Sequence, residues 1–418
     1  MNRTDSSDVL ILGGGVIGLA CAWYLLKAGR GVTVLEQDRV GSGSSHGNCG
    51  TITPSHAAPL AMPGTVATAL KWLLRPDAPL RIKPRLDPEL LRWLLAFRRR
   101  CNWSDALRTT AVKLPLLEAS RRWLEDLILA EQLDCEFSTT GTLNVFRDPR
   151  EFECARAVHE RLAAHLPPCE YLDAAATLAR EPALKPGLAG AILHAGDASL
   201  RPDRLLVELA RIVRAAGGRI IEGARIERIH HDGGRIARVV TTRGEFGADE
   251  VVLALGAWSP RFARDLDLRI PIQPGKGYSI TWTRPARCPR MPLSLKERAV
   301  CVTTWGSGYR LGSTMEFAGY DNTLNRTRLD ALRRGAAEYL HEPEGPAMVE
   351  EWYGWRPMTS DDLPLIGRAP RLRNLVLATG HGMLGVTMSA ATGVLVSEIV
   401  TARQPSLDIA AFAPARFD

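Results

Sequence analysis

Residues 8–36 read Asp-Val-Leu-Ile-Leu-Gly-Gly-Gly-Val-Ile-Gly-Leu-Ala-Cys-Ala-Trp-Tyr-Leu-Leu-Lys-Ala-Gly-Arg-Gly-Val-Thr-Val-Leu-Glu. An apolar strand runs into three glycines, an apolar helix follows, and a second strand ends on an acid. Gly13, Gly15 and Gly18 give the spacing G-x-G-x-x-G, and Glu36 comes 18 residues after Gly18. Gly13 lets the chain turn out of its strand. Gly15, without a Cβ, lets a pyrophosphate approach the backbone, and Gly18 lets the helix pack closely on the sheet. Val16 and Ile17 open a helix whose N-terminal N–H groups suit phosphate. Glu36, followed by Gln37, can accept from both hydroxyls of a ribose and would repel a 2′-phosphate. With strand, turn, helix, strand and acid in register, the unit predicts dinucleotide binding. The uncharged run Val9–Leu26 is about 18 residues, the lower edge for a membrane span. Three consecutive glycines interrupt it, and Asp5 and Asp8 stand where a secretion signal needs positive charge.

Working outward, the 418 residues are enough for two to three structural units, and 45% hydrophobic with 24% charged residues is ordinary for a globular enzyme. The eight cysteines contain no C-x-x-C pair. That composition predicts no metal site and no Fe–S cluster, with reduced thiols in the cytoplasm. The net charge of +7 concentrates between Lys71 and Arg108, where Trp72, Trp93 and Trp103 sit among Arg and Lys. This suits either an interfacial helix on the inner face of the cell membrane or a core-packed helix with a basic solvent side. No nucleic-acid motif accompanies the charge, so no nucleic-acid partner is expected.

Along the chain, a Gly/Ser loop (41–50) follows the first unit, residues 60–185 read as largely helical, and 266–350 have strand character. A buried strand at 250–255 runs into a glycine turn at Gly256-Ala257, and a strand at 374–378 leads to Gly380-His-Gly-Met-Leu-Gly385 and a terminal helix. Nucleotide-binding elements thus recur at the start, middle and end. The expected fold is α/β: a discontinuous Rossmann-type domain (1–60, 190–265 and 350–418) with an inserted α+β substrate domain on a mixed or antiparallel sheet (61–189 and 266–349).

These blocks, together with Leu200-Arg-Pro and Gly354–Gly367, resemble the D-amino-acid oxidase superfamily of FAD-dependent oxidoreductases, and most of all its bacterial D-amino-acid dehydrogenases. Ser44–Pro59 and Leu114-Pro115 are similar to the hydroxyproline-type members. The resemblance implies FAD, oxidative deamination of a D-amino acid (D-proline or cis-4-hydroxy-D-proline in the hydroxyproline type) by hydride transfer to flavin N5, and electrons passed to a quinone or dye. Alternatives are a secondary-amine oxidase of sarcosine, glycine or proline type that makes hydrogen peroxide, an FAD-binding assembly protein without turnover, and an NAD enzyme.

The resemblance also implies residue roles. Arg356 of Gly354-Trp-Arg-Pro would bind the substrate carboxylate, since a guanidinium fork matches its two oxygens; the alternative is a salt bridge to Asp361 or Asp362. Tyr278 would bring a ring or hydroxyl over the flavin, or simply pack in its strand. Arg310 and Tyr309 are weaker pocket candidates, and His46 is either a substrate contact or a solvated loop residue. Ser44, Ser45 and Asn48 lie in the loop near the cofactor, Ile226 near adenine, and Gly256 and Ala257 near the pyrophosphate. Gly380, His381, Gly382, Met383, Leu384 and Gly385 would pass the pyrimidine edge of the flavin, where N–H groups and a helix dipole stabilise negative charge.

Overall fold

The computed structural model describes residues 5–73 and 78–417. Residues 74–77 of the basic stretch, and residues 1–4 and 418 of the nucleotide-binding segments, lie outside the described residues. Two sheets organise the chain. The first has a parallel centre in the order Arg219–Ile221, Val32–Leu35, Asp5–Leu12, Gly244–Leu253, Leu375–Thr379. Strand Gly244–Leu253 is shared: its start pairs antiparallel with Arg235–Thr241, its end parallel with Leu375–Thr379. The first strand is buried throughout Val9–Leu12, as a sheet covered on both faces requires.

Close packing makes the glycine spacing necessary. A Cβ on Gly18 would fall 1.9 Å from the Gly13 carbonyl oxygen, so only glycine lets helix Val16–Lys27 lie against its strand. The same helix meets the terminal helix Gly385–Val400 at Gly393, where a Cβ would be 2.6 Å from the Tyr24 ring. Helix Trp103–Ala130 also packs on the terminal helix, and its Ser120 Oγ accepts from the Ala391 N–H at 3.1 Å. Each buried leucine in these layers contributes about 1.5–3 kcal/mol.

The second sheet runs in the order Met348–Thr359, Ile272–Trp282, Gly308–Phe317, Val300–Trp305, Leu293–Leu295, Thr142–Phe146, Gly190–His194, Glu170–Asp173, with Leu80–Ile82 attached to Gly308–Phe317. Its pairs are antiparallel except where Leu293–Leu295 meets Thr142–Phe146 and where Leu80–Ile82 meets its neighbour. This sheet also takes two strands that the sequence reading gave to the nucleotide domain. Gly190–His194 pairs with Thr142–Phe146 and Glu170–Asp173, and Met348–Thr359 pairs with Ile272–Trp282. The crossings between domains therefore fall after His194 and after Thr359. Ile221 and Ile226 belong to two strands, Arg219–Ile221 and Ile226–Asp232, separated by a turn at Gly223, whose φ is +71°.

Candidate active site

The carboxyl ends of the parallel strands face the second sheet, and one cavity of about 2090 Å³ lies there, lined by both. Drug-sized ligand sites reach about 1,000 Å³, so this one has room for a dinucleotide and a small substrate together. Open α/β sheets place ligands beyond these strand ends. Gly13, Gly15, Val16 and Ile17 line the cavity where the first strand turns into its helix. Gly13 has φ +110°, and a Cβ there would meet the Ala254 carbonyl oxygen at 2.5 Å. No side chain of the N-cap residue, Gly15, closes the helix start. Ser45 Oγ accepts from the Val16 N–H at 3.2 Å.

Glu36 ends the second strand. Its Oε2 accepts from the Gly14 N–H at 2.8 Å and its Oε1 from the Asp38 N–H at 3.1 Å. A carboxylate offers about four lone-pair sites, so acceptor capacity for ribose hydroxyls remains. Burial raises the Glu36 pKa, against these N–H bonds, which lower it. Gln37 and Ile226 line the same end, held together where the Ala224 N–H donates to the Glu36 carbonyl at 2.8 Å. Gly256 lines the cavity with φ +53°. Gly18, Ala257 and Gly380 do not line it: Gly18 serves packing, the Ala257 carbonyl accepts from Tyr320 Oη, and a Cβ on Gly380 would meet Leu365 and Thr359 at 2.8 Å. The helix start at Val16, the Glu36 carboxylate and the size of the cavity fit an adenine dinucleotide such as FAD.

The loop 44–50 is clamped onto the strand Met348–Thr359. Ser44 Oγ donates to the Trp355 carbonyl, and His46 Nε2 meets the Glu350 carboxylate at 2.9 Å. A Cβ on Gly47 would fall 2.1 Å from the Trp352 ring, so the indole lies directly on this backbone. Arg310, 1% exposed, donates to the His46 and Asn48 carbonyls at 3.0 and 2.7 Å and to Thr281 Oγ1 at 2.9 Å. Ser44, Ser45 and Asn48 line the cavity; His46 and Arg310 do not. Arg310 therefore holds the loop, its donors spent on backbone and on Thr281, and His46 ties the loop to Glu350 through Nε2. Tyr309 is buried too, its hydroxyl donating to the Pro343 carbonyl.

Tyr278 lines the cavity while packing in its strand. Its hydroxyl donates to Glu316 Oε2 at 2.6 Å and the side chain is 1% exposed, so strand packing claims the ring. Burial and the Glu316 carboxylate push its pKa well up. Strand alternation puts Tyr278 on the opposite face from Gly275 and Gly277.

Across Gly277 lies Arg356. A Cβ on Gly277 would fall 2.2 Å from its Nη1, so the glycine opens the space the guanidinium fills. Arg356 Nη1 donates to the Thr314 carbonyl at 2.7 Å, and the side chain lines the cavity, half-buried. Among the described residues no carboxylate pairs with it. Asp361 is taken by Arg416 at 2.9 Å, and Asp362 by Lys113. Burial lowers the Arg356 pKa, while Cys49 and Cys301 nearby raise it. Both thiols line the cavity beside it, and sequence reading gave them no role. The faces of strand 348–359 alternate, so Trp352 and Gly354 share the side of Arg356; that period-2 pattern was the available signal for Trp352.

His381, Gly382, Met383, Leu384 and Gly385 line the cavity at the start of the terminal helix. The Gly382 N–H donates to the Pro357 carbonyl and the Leu384 N–H to the His381 carbonyl, so these two are spent inside the protein. The uncapped start of Gly385–Val400 keeps its positive end toward the cavity. The His381 ring meets Thr392 Oγ1 at 3.0 Å, and burial pulls its pKa to about 3, so it is neutral at ordinary pH.

The chain matches the family described as DAO, FAD dependent oxidoreductase, over residues 8–399. It is 36% identical over 408 residues to a D-amino acid dehydrogenase of Cereibacter sphaeroides, covering 96% of this chain and 93% of that one. In fold it is similar to glycine oxidase from Geobacillus kaustophilus (TM-score 0.77, 24% identity, 99% of each chain). It is also similar to L-proline dehydrogenase from P. horikoshii (TM-score 0.76, 19% identity, 99% and 98%). With its glycine-framed dinucleotide cavity and this match over almost its full length, the chain belongs to the DAO family of FAD-dependent oxidoreductases.

Proposed function

We propose that this protein oxidises the Cα–N bond of a D-amino acid and passes the electrons to a quinone, with D-proline and cis-4-hydroxy-D-proline among its substrates. The observation that carries the reading is Arg356: a guanidinium facing the cavity, fixed by the Thr314 carbonyl, with no carboxylate partner among the described residues. A planar fork of donors in that state is the receptor for an α-carboxylate. FAD supplies the two-electron acceptor when bound.

The chain's own residues do the rest. Arg356 orients the carboxylate and so fixes the rotation of Cα against the cofactor wall. Thr314 and Gly277 hold Arg356, and Arg310 holds loop 44–50 in register with strand 348–359. Neutral His381 places no competing cation at the start of the terminal helix. The reading needs no side-chain base beyond a group that removes the ammonium proton, for which water suffices, so positioning and electrostatics are the protein's contribution. The D preference is supported by the 36% identity to a D-amino acid dehydrogenase, and the ring-type substrates by the sequence of residues 44–59.

The quinone reading is supported by the mouth of the cavity. Leu70, Leu73, Leu91 and Leu95 line it and are exposed, from helices Thr65–Leu73 and Pro88–Arg100. Arg92 and Arg98–Arg100 border them. Exposed leucines ringed by cations suit an anionic membrane surface, from which an apolar acceptor can enter. Among the described residues no helix is long and apolar enough to cross a membrane. The test is to supply paired D- and L-amino acids and compare quinone-analogue reduction with peroxide yield. D-dependent dye reduction with little peroxide supports the proposal. Peroxide in proportion to substrate favours the oxidase alternative, and no turnover with any amino acid refutes both.

A further inference from the structure

Far along the second sheet from Arg356, four cavity-lining residues carry polar groups that the reaction above leaves unused. Asn144 belongs to strand Thr142–Phe146, His194 to Gly190–His194, and His56 to the turn Pro54–Ala57. Lys296 opens the turn Lys296–Arg298, which ends on Ala299 at φ +47°.

Lys296 is the cation among them. Among the described residues it has no hydrogen-bond or ion-pair partner. Glu297, the adjacent acid, is spent: it accepts from the Arg147 and Asp148 N–H groups at 2.9 Å and from the Tyr339 hydroxyl. Lys296 is exposed, yet surrounding protein desolvates it and lowers its pKa. Both hold together if the surface it exposes is cavity surface. Burial, reinforced by nearby cations that include Lys296, pulls His56 to about 3, and burial with His159 and Lys296 pulls His194 to about 4. Both rings are neutral, so neither cancels nor competes with the ammonium charge.

Asn144 and His194, one and two strands beyond Leu295, also leave a donor over. The Asn144 amide nitrogen lies 3.1 Å from His194 Nε2, while Asn144 Oδ1 and His194 Nδ1 are buried without partners. An amide nitrogen only donates, so Nε2 accepts and Nδ1 carries an unsatisfied proton. With the amide turned over, the NH₂ group is left over instead. Either way one N–H lacks an acceptor, and so does Lys296. Of the acids lining the same cavity near the second sheet, Asp362 is engaged with Lys113 and Glu351 with Arg326 and Arg333, while Glu151 lines it from the first turn of helix Pro149–Leu162. Thr314, which holds Arg356, sits two strands from Leu295 in the sheet order. That is about 10 Å, a gap that a short dicarboxylate and an extended lysine side chain bridge together.

We propose that Lys296 forms a second anion-binding site, so that the enzyme takes amino acids whose side chain ends in a carboxylate. The α-carboxylate lies on Arg356 and the distal carboxylate on Lys296. It rests on the proposed role of Arg356.

The test compares D-glutamate with D-glutamine, nearly isosteric and differing in charge, as substrates of the FAD-loaded full chain. Wild type should favour D-glutamate in kcat/KM. In Lys296→Met the glutamate-to-glutamine ratio should fall by about tenfold or more, and Lys296→Arg should restore it. A merely structural lysine would lower both substrates together and leave the ratio unmoved, which overturns the proposal. So does a wild type that prefers D-glutamine, or one that turns over cis-4-hydroxy-D-proline but not D-glutamate. Flavin-absorbance titration with glutarate and its monoamide decides the point without turnover. Tighter glutarate binding in wild type supports the site, and equal binding overturns it. If no D-amino acid reduces the flavin while glutarate still binds more tightly, the catalytic reading fails and the anion site stands.

Discussion

Replacing Arg356 with alanine should cripple turnover of carboxylated substrates while leaving the cofactor in place. The guanidinium is half-buried, its exposed part opens into the cavity, and one protein hydrogen bond, to the Thr314 carbonyl at 2.7 Å, fixes it. Truncating one partner of a buried, hydrogen-bonded charge pair costs about 2–5 kcal/mol. Because Arg356 keeps some contact with cavity water before substrate enters, the lower half of that range applies. About 2–3 kcal/mol corresponds to a loss of roughly 30- to 150-fold in kcat/KM. Lysine keeps the charge but loses the fork, so Arg356→Lys should fall between alanine and wild type. The assay is steady-state dye reduction with a D-amino acid and with its amide, flavin content being measured in parallel. The acid should lose its advantage over the amide in Arg356→Ala, with flavin content unchanged. An unaltered kcat/KM for the acid, or equal losses on acid and amide, would refute the reasoning.

Further outcomes follow from the same geometry. Gly277→Ala places a Cβ 2.2 Å from Arg356 Nη1, a flexible end that must swing away; kcat/KM should drop about 10- to 100-fold in a protein that still folds and binds flavin, and wild-type kinetics would show that the guanidinium does not lie there. Asp197 is 1% exposed, and burial raises its pKa to about 6 against hydrogen bonds from Ser55 and Thr142. The folded chain thus holds this proton to higher pH than the unfolded one, so its contribution is complete below about pH 4 and is lost, to about 3 kcal/mol, as pH rises through 6. Asp197→Asn should therefore gain Tm relative to wild type between pH 4 and pH 7, and parallel Tm curves would exclude the shift. Arg98→Gln, Arg99→Gln and Arg100→Gln together should weaken sedimentation with anionic vesicles on the order of a hundredfold, at about 1 kcal/mol per charge; binding that survives unchanged would separate this face from any membrane.

The nucleotide half of the fold was legible because its signals are local. Gly13, Gly15, Gly18 and Glu36 sit within one strand–helix–strand unit, and the structure gives a steric reason for Gly13 and Gly18 and a hydrogen-bonding one for Glu36. The partition between sheets was not legible. Gly190–His194 and Met348–Thr359 read as strands, but period-2 patterning says nothing about which sheet a strand joins. The substrate half suffered most from facing. Tyr278 and Gly277 are neighbours in sequence and lie on opposite sides of their strand, and a single sequence does not say which side holds the ligand. Arg310 was a weaker pocket candidate from its place on the strand neighbouring Tyr278, and its donors close on the His46 and Asn48 carbonyls, partners more than 260 residues away in the chain. Lys296 carried no signal, since a lone lysine in a turn matches no motif and only the cavity around it gives it meaning.

The central claim is that a D-amino acid whose carboxylate binds Arg356 reduces the bound FAD, and the visible spectrum of the FAD-loaded protein under anaerobic conditions reads it directly. Addition of a D-amino acid should bleach the yellow absorbance within the mixing time of a cuvette experiment, and its L-enantiomer should leave it intact. A flavin that stays oxidised with every D-amino acid offered, or that bleaches equally with both enantiomers, would contradict the account.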